Sequence, residues 1–208
     1  WLTEEWNVSD DNTTLTMPLR DGFTFHDGTP LTAQDVKFTF EYMKEQEIPF
    51  FASAVAPIES VEAPDDETFV MNLNEPFAPI LTLTLARVHI IPEHIWENVP
   101  DDIDGVSEPV GWENPEPVGS GPFQFDSWSR DEQMVLQANE NHFNTPSIQE
   151  LVKIPGADMQ SLVRLLEDRS LDMIGWVAGP DTVNRLDNQV DSVSISSIDS
   201  HGWYHINY

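Results

Sequence analysis

The stretch "LRDGFTFHDGTPLTAQDVKFTFEYM", Leu19 to Met43, decides how this chain is read. It places two Asp-Gly pairs, Asp21-Gly22 and Asp27-Gly28, six residues apart, with Phe23 and Phe25 alternating between them. Asp-Gly beside alternating apolar residues signals a tight turn, because glycine reaches positive φ without a Cβ clash. A well-specified helix start comes next. Thr32 is placed to act as N-cap, Asp35 falls at the third helical position, and Leu31 and Val36 flank them as a hydrophobic staple. Val36, Phe40 and Met43 continue one apolar face. Upstream, "TTLTMPLR" alternates Leu15, Met17 and Leu19 as a half-buried strand, in which Pro18 marks an edge or a bulge. Strand, tight turns and capped helix reverse the chain and launch a helix. No reacting group is needed for that.

Farther along, "SVEAPDDETFVMNL" reads as a hairpin turning at Pro64-Asp65-Asp66, with Phe69, Met71 and Leu73 alternating. "PFAPILTLTLARVHIIPEHIW" reads as two short helices punctuated by Pro79 and Pro92. Residues 100–119 hold four prolines and no periodicity, which makes them the candidate boundary. Strands are expected in "PFQFDSW" and "QMVLQAN", then a helix from Met159 to Arg169 with Leu162, Leu165 and Leu166 as its apolar positions. A strand at "LDMIGWV", a short helix after Gly179-Pro180, and strands at "VSISSI" and "WYHINY" complete a mixed α/β pattern.

The 208 residues include 37 acidic and 9 basic side chains, for a formal charge of −28. Seven Trp and 11 Phe supply the apolar payload of a globular chain rather than a disordered acidic tail. The acids are dispersed, and only 3 Lys accompany 6 Arg. This pattern is expected of a protein adapted to very high salt, where a Debye length of roughly 3 Å at 1 M screens the self-repulsion. Such a surface repels phosphate backbones, so no nucleic-acid partner is expected. Without cysteine there are no disulfides and no thiolate chemistry. No stretch reaches the 18 or so apolar residues of a membrane span. The apolar residues at both ends read as those of a piece of a longer chain.

The search for chemistry gives little. Gly119-Ser120-Gly121-Pro122 lacks the glycine a dinucleotide fingerprint needs at Gln124, and no P-loop lysine follows. It reads as a structural turn into a strand. "DDIDG" fails as a calcium loop, since Pro100 and Gly111 would occupy ligand positions. His201 and His205 fall in a strand-like segment, roughly 13 Å apart at that spacing, and His89 and His94 form no zinc motif. No metal, cofactor or catalytic residue is therefore expected. Two N-glycosylation triplets, Asn7-Val8-Ser9 and Asn12-Thr13-Thr14, are consistent with exposure outside the cell.

The opening stretch resembles the signature of the extracellular solute-binding proteins of peptide and nickel ABC transporters. Leu19, Arg20, Gly22, Phe25, Asp27, Gly28, Pro30, Thr32, Ala33, Asp35 and Val36 carry the likeness. "PVGSGPFQFDSW", Pro117 to Trp128, is similar to the family's Gly-Thr-Gly-Pro segment, with Ser120 in place of Thr, and "VLQANENHF" resembles the strand that follows it. "LLEDRSLDMI" resembles a helix-then-Asp block, although Ser170 stands where Gly-Glu is typical; "YHINY" resembles a strand ending at Asn207.

The resemblance implies a mixed α/β, periplasmic-binding-protein-like (type II) fragment with an additional small α+β domain. That extra domain is expected over 1–110, and part of the first lobe over 111–208, with the second lobe absent. The implied activity is capture of dipeptides or oligopeptides for the permease subunits of an ABC importer, by a protein tethered at the outer face of the membrane. The implied ligand-facing residues are Trp176, Val177 and Gly179, with Phe50 and Phe51 after the capped helix. The alternatives are the same fold carrying an oligosaccharide or nickel complex, a surface hydrolase, or a purely structural module.

Overall fold

Alternation along four short segments builds the first sheet. The computed structural model describes residues 2–48, 50–99, 102–103, 106–107, 112–156, 158–174, 179–189 and 195. Strands β1 (Asn7–Val8), β2 (Thr14–Pro18), β3 (Ile58–Asp65) and β4 (Thr68–Leu73) pair antiparallel in the order β1-β2-β4-β3. Leu15, Met17, Phe69, Met71 and Leu73 all turn to one face and are buried there. Leu19 donates its N–H to Glu67 O and Arg20 donates to Leu2 O, so successive residues address opposite neighbours. Pro18, lacking an N–H, therefore faces the side where two-residue β1 does not reach.

Helix α1 (Ala33–Glu45) covers that apolar face with Val36, Phe40 and Met43, and Phe40 stacks on Phe69 at 5.6 Å between ring centroids. Its start is the expected capping box. Asp35 Oδ2 accepts the Thr32 N–H at 2.9 Å, and Thr32 Oγ1 accepts from Gln34 N–H at 3.3 Å. At the other end Lys44 Nζ donates to Ile58 O and Glu59 O, both at 2.9 Å, tying the helix to β3. Two buried hydroxyls staple the remaining turns to this core. Thr39 Oγ1 donates to Asp35 O and accepts from Ile91 N–H, and Thr84 Oγ1 donates to Ala54 O at 2.6 Å. Ala54 lies in the short α2 (Ala52–Val55).

The two proline-punctuated helices are present, Pro79 and Pro92 preceding each, but the first (Ile80–Leu85) is a π-helix and the second is α3 (Glu93–Trp96). The β3–β4 turn also differs from expectation. Strand β3 runs through Pro64 and Asp65, and the reversal falls on Asp66 and Glu67, where Asp65 Oδ1 accepts the Glu67 N–H at 3.0 Å. Strands β5 (Asp102–Ile103) and β6 (Val106–Ser107) pair antiparallel. The expected strands of the next segment are β7 (Phe123–Ser129) and β8 (Gln133–Ala138), joined by β9 (Glu150–Lys153), which the sequence reading did not mark.

The chain divides into two units, Trp1–Lys153 and Ile154–Tyr208. In the second, α4 (Met159–Glu167) starts at Asp158, whose carboxylate accepts from the Ser161 N–H at 2.9 Å. Gly156 admits the Leu162 side chain, which a Cβ would meet at 2.7 Å. The helix stops two residues before Arg169, which takes a left-handed φ of 59°, while Ser170 N–H reaches back to Leu165 O. Its buried residue is Val163; Leu165 is 39% exposed, contrary to the expected apolar triplet. Helix α5 (Pro180–Gln189) follows Gly179-Pro180 as expected. Leu171 to Ile174 form no strand, and Met173 is exposed: alternation without a pairing partner does not make a ladder. The strands expected at "VSISSI" and "WYHINY" lie outside the described residues, except for Ile195, which is in no strand.

Candidate functional site

Two stretches that looked separate in sequence meet in space. Gly22 (φ 80°) and Gly28 (φ 87°) occupy the left-handed region that their turns require. Between them Phe25 N–H bonds Thr29 O, and Leu31 N–H bonds Phe23 O, closing a tight loop whose Phe25 is buried in the core. At its tip His26 clamps the Gly119–Gly121 turn. Its backbone N–H donates to Gly119 O at 2.8 Å, and its Nδ1 accepts the Gly119 N–H at 3.2 Å. The ring proton therefore sits on Nε2, which donates to Gly121 O at 3.0 Å. Asn139 secures the same turn, its Nδ2 donating to Gly121 O at 3.1 Å and its backbone N–H to Pro122 O.

A cavity of about 250 Å³ lies beside this junction, walled by Arg20, Phe23, Thr24, Ser120 and His142. Arg20 pairs with Glu4 at 2.9 Å and stacks over Phe143, 5.3 Å from the ring centre; Phe23 meets the same ring edge-on. Asp27 links the loop to α3 through His94 Nε2 at 2.8 Å. Burial pushes the Asp27 carboxyl upward, but the Thr29 N–H and the His94 ring outweigh it and leave the pKa below its ordinary value. The junction holds backbone in place. It contains no nucleophile paired with a base, and among the described residues no group of three or more His, Asp or Glu could hold a metal.

A second, larger hollow of about 400 Å³ opens at the β1 edge, lined by Trp6, Val8, Asn12, Leu73, Phe77 and Ile80. Trp6 and Val8 are exposed there, at 50% and 40%.

Of the residues nominated as ligand-facing, Phe50, Phe51 and Gly179 lie among the described residues. Phe50 is 80% exposed and touches Phe51 edge-on at 5.0 Å, while Phe51 packs against the core, so only Phe50 presents a free face. Gly179 is exposed, with open space around it, and its carbonyl accepts the Val183 N–H at the start of α5. Trp176 and Val177 lie outside the described residues. The sequence reading missed the role of His26 and of Asn139, since neither belongs to a catalytic or metal pattern; the Asp-Gly turn beside His26 was the available signal.

The architecture is that of a type II periplasmic binding protein, in part. Residues 1–208 match the family model for bacterial extracellular solute-binding proteins, family 5, middle segment, and the chain belongs to that family. A Brucella ovis protein provisionally named as an ABC transporter peptide-binding protein is 32% identical over 167 residues, covering 79% of this chain. The Escherichia coli protein DdpA, provisionally a D,D-dipeptide-binding periplasmic protein, is 36% identical over 169 residues, again 79% of the chain. An oligopeptide-binding ABC transporter protein of Thermotoga maritima, solved with mannohexaose bound, superposes with a TM-score of 0.73 at 28% identity over 91% of the chain, and 34% of its own length is covered. The chain spans 31% of the length of the two curated relatives, about a third.

Proposed function

We propose that the chain is part of the substrate-capturing component of an ABC importer, taking dipeptides or oligopeptides at the outer face of the membrane and presenting them to the permease. The observation that carries this reading is the match of the whole chain, residues 1–208, to one solute-binding family, together with relatives named for peptide binding. Residues 1–110 would form the small extra domain and 111–208 part of the first lobe, the second lobe lying elsewhere in the whole protein. Ligand bridges the two lobes and stabilises the closed state that the permease recognises. Phe50, carried on core-anchored Phe51, and the segment holding Trp176, Val177 and Gly179 are the cleft residues of this reading. Tethering to the membrane belongs to the whole protein.

Micromolar affinity corresponds to about −8 kcal/mol, and half a cleft does not supply it. The 208-residue chain alone is therefore expected to bind no peptide, and a clean isotherm would refute that expectation. For the whole protein, purified in high salt, the test is denaturation followed by mass spectrometry of the molecules released. Short peptides support the reading and fix the cargo length; sugars or a metal complex overturn the cargo while leaving the fold. An oligosaccharide is the second reading, favoured by the mannohexaose held by the Thermotoga protein.

A further inference from the structure

The β1–β2 hairpin carries both asparagine acceptor triplets, Asn7-Val8-Ser9 and Asn12-Thr13-Thr14, each with an acid two places upstream, Glu5 and Asp10. The two acceptors are not equivalent. Asn7 lies within β1, opposite Thr16. Asn12 lies in the connecting turn with a φ of 60°, exposed, its amide side chain bonded to no other described residue. Positive φ of this kind is where asparagine is enriched among non-glycine residues. Ser9 and Asp11 hold the turn from beneath: Ser9 Oγ accepts the Thr14 N–H at 3.0 Å, and Asp11 Oδ1 accepts from Ser9 Oγ and Thr13 Oγ1. The Asn12 amide is thereby left on the outside of a fixed turn.

A second observation concerns what lies beside it. Asn12 is itself part of the rim of the 400 Å³ hollow, whose other walls are apolar: Trp6, Val8, Leu73, Phe77 and Ile80. Trp6 and Val8, among the exposed large apolar side chains of this acidic chain, both border the hollow. The hollow falls within the size range of small-molecule pockets. Its single amide neighbour is a glycan acceptor.

We propose that Asn12 is an N-glycosylation site and that the first sugars of its glycan lie in the Trp6–Phe77 hollow, their apolar ring faces against the indole. Asn12 Nδ2 attacks the anomeric carbon of a saccharide carried on a lipid (pyro)phosphate, supplied with a membrane oligosaccharide transferase. The N–C bond forms as the C–O bond to phosphate breaks, and the amide proton leaves to a base of the transferase. The triplet's hydroxyl, Thr14 Oγ1, donates to Asn72 Oδ1 across the sheet at 3.1 Å, where β2 pairs with β4 (Thr68–Leu73), and its lone pairs stay able to accept. The attached glycan then shields β1, the end strand of the sheet among the described residues. The inference rests on placement outside the cell, which the family supplies, and not on the cargo.

The test is peptide mapping by mass spectrometry of the whole protein purified from its source cells. A peptide carrying Asn12 with whole sugar residues added is expected. Bare Asn12 overturns the proposal, whether or not Asn7 is modified. The seating is read separately by enzymatic trimming of the glycan from native protein. Trp6→Ala is expected to speed trimming several-fold, and equal rates overturn the seating. Neither result depends on which molecules the protein releases on denaturation, so failure here is distinguishable from failure of the importer reading.

Discussion

Replacing Asp35 by alanine separates a local helix cap from a long-range tether. The carboxylate is buried, 7% exposed, and serves two ends of the structure at once. Oδ2 accepts from the Thr32 N–H and hydroxyl, the local cap of α1, and Oδ1 accepts the Glu93 N–H at 3.2 Å, at the start of α3, 58 positions away. A cap alone contributes about 1 kcal/mol. A hydrogen bond to a charged acceptor adds about 1.5–3 kcal/mol, and its loss strands the Glu93 N–H. Removing the charge also relieves repulsion with the Glu93 carboxylate, which offsets part of the loss. The expected cost of Asp35→Ala is about 2–3 kcal/mol, against about 1 for Thr32→Ala. In thermal unfolding this corresponds to roughly 5–10 °C against roughly 2–4 °C for a chain of this size. Asp35→Asn, which keeps an oxygen but not the charge, should fall between them. The assay is circular dichroism during heating at fixed high salt. Equal shifts for Asp35→Ala and Thr32→Ala would refute the tether.

Three further outcomes follow from the charges. Asp27 has a depressed folded pKa, so the stability it contributes is present above the ordinary carboxylate range and lost as pH falls through the folded value. Asp27→Asn should therefore destabilise at neutral pH and be silent in strong acid; an equal effect at both, read by denaturant titration, would contradict the pairing with His94. Glu93 is raised, by burial first and by Asp35 next, so the stability linked to its protonation is present at low pH and fades as pH rises through the folded value. Glu93→Gln should accordingly raise the neutral-pH midpoint, the gain disappearing below the carboxylate range. Finally, a charge of −28 should leave the fold dependent on screening. Far-UV circular dichroism from roughly 0.1 to 3 M KCl spans the range in which the Debye length changes most; a flat signal would reduce the acidity to a solubility bias.

What the sequence disclosed was local chemistry, and what it withheld was mostly separated by distance along the chain. Thr32, Asp35, Leu31 and Val36 lie within six positions, and each acts through a neighbour, so the capped helix could be read directly. The alternation of Phe69, Met71 and Leu73 fixed a buried face for the same reason. Strands of two and four residues, β1 and β9, are too short for alternation to register, and composition does not tell a π-helix from any other short helix expected in its place. His26 illustrates the other limit. Its three hydrogen bonds reach 93 to 95 positions ahead, and the adjacent Asp27-Gly28 turn marks a chain reversal without showing what the histidine meets there. The family likeness nonetheless contained the answer in another form, because its first two blocks, Leu19 to Val36 and Pro117 to Trp128, are the two that His26 joins. Motifs with no reacting group can be signatures because they must fit each other, and here the residues of the likeness meet in the junction that His26 clamps.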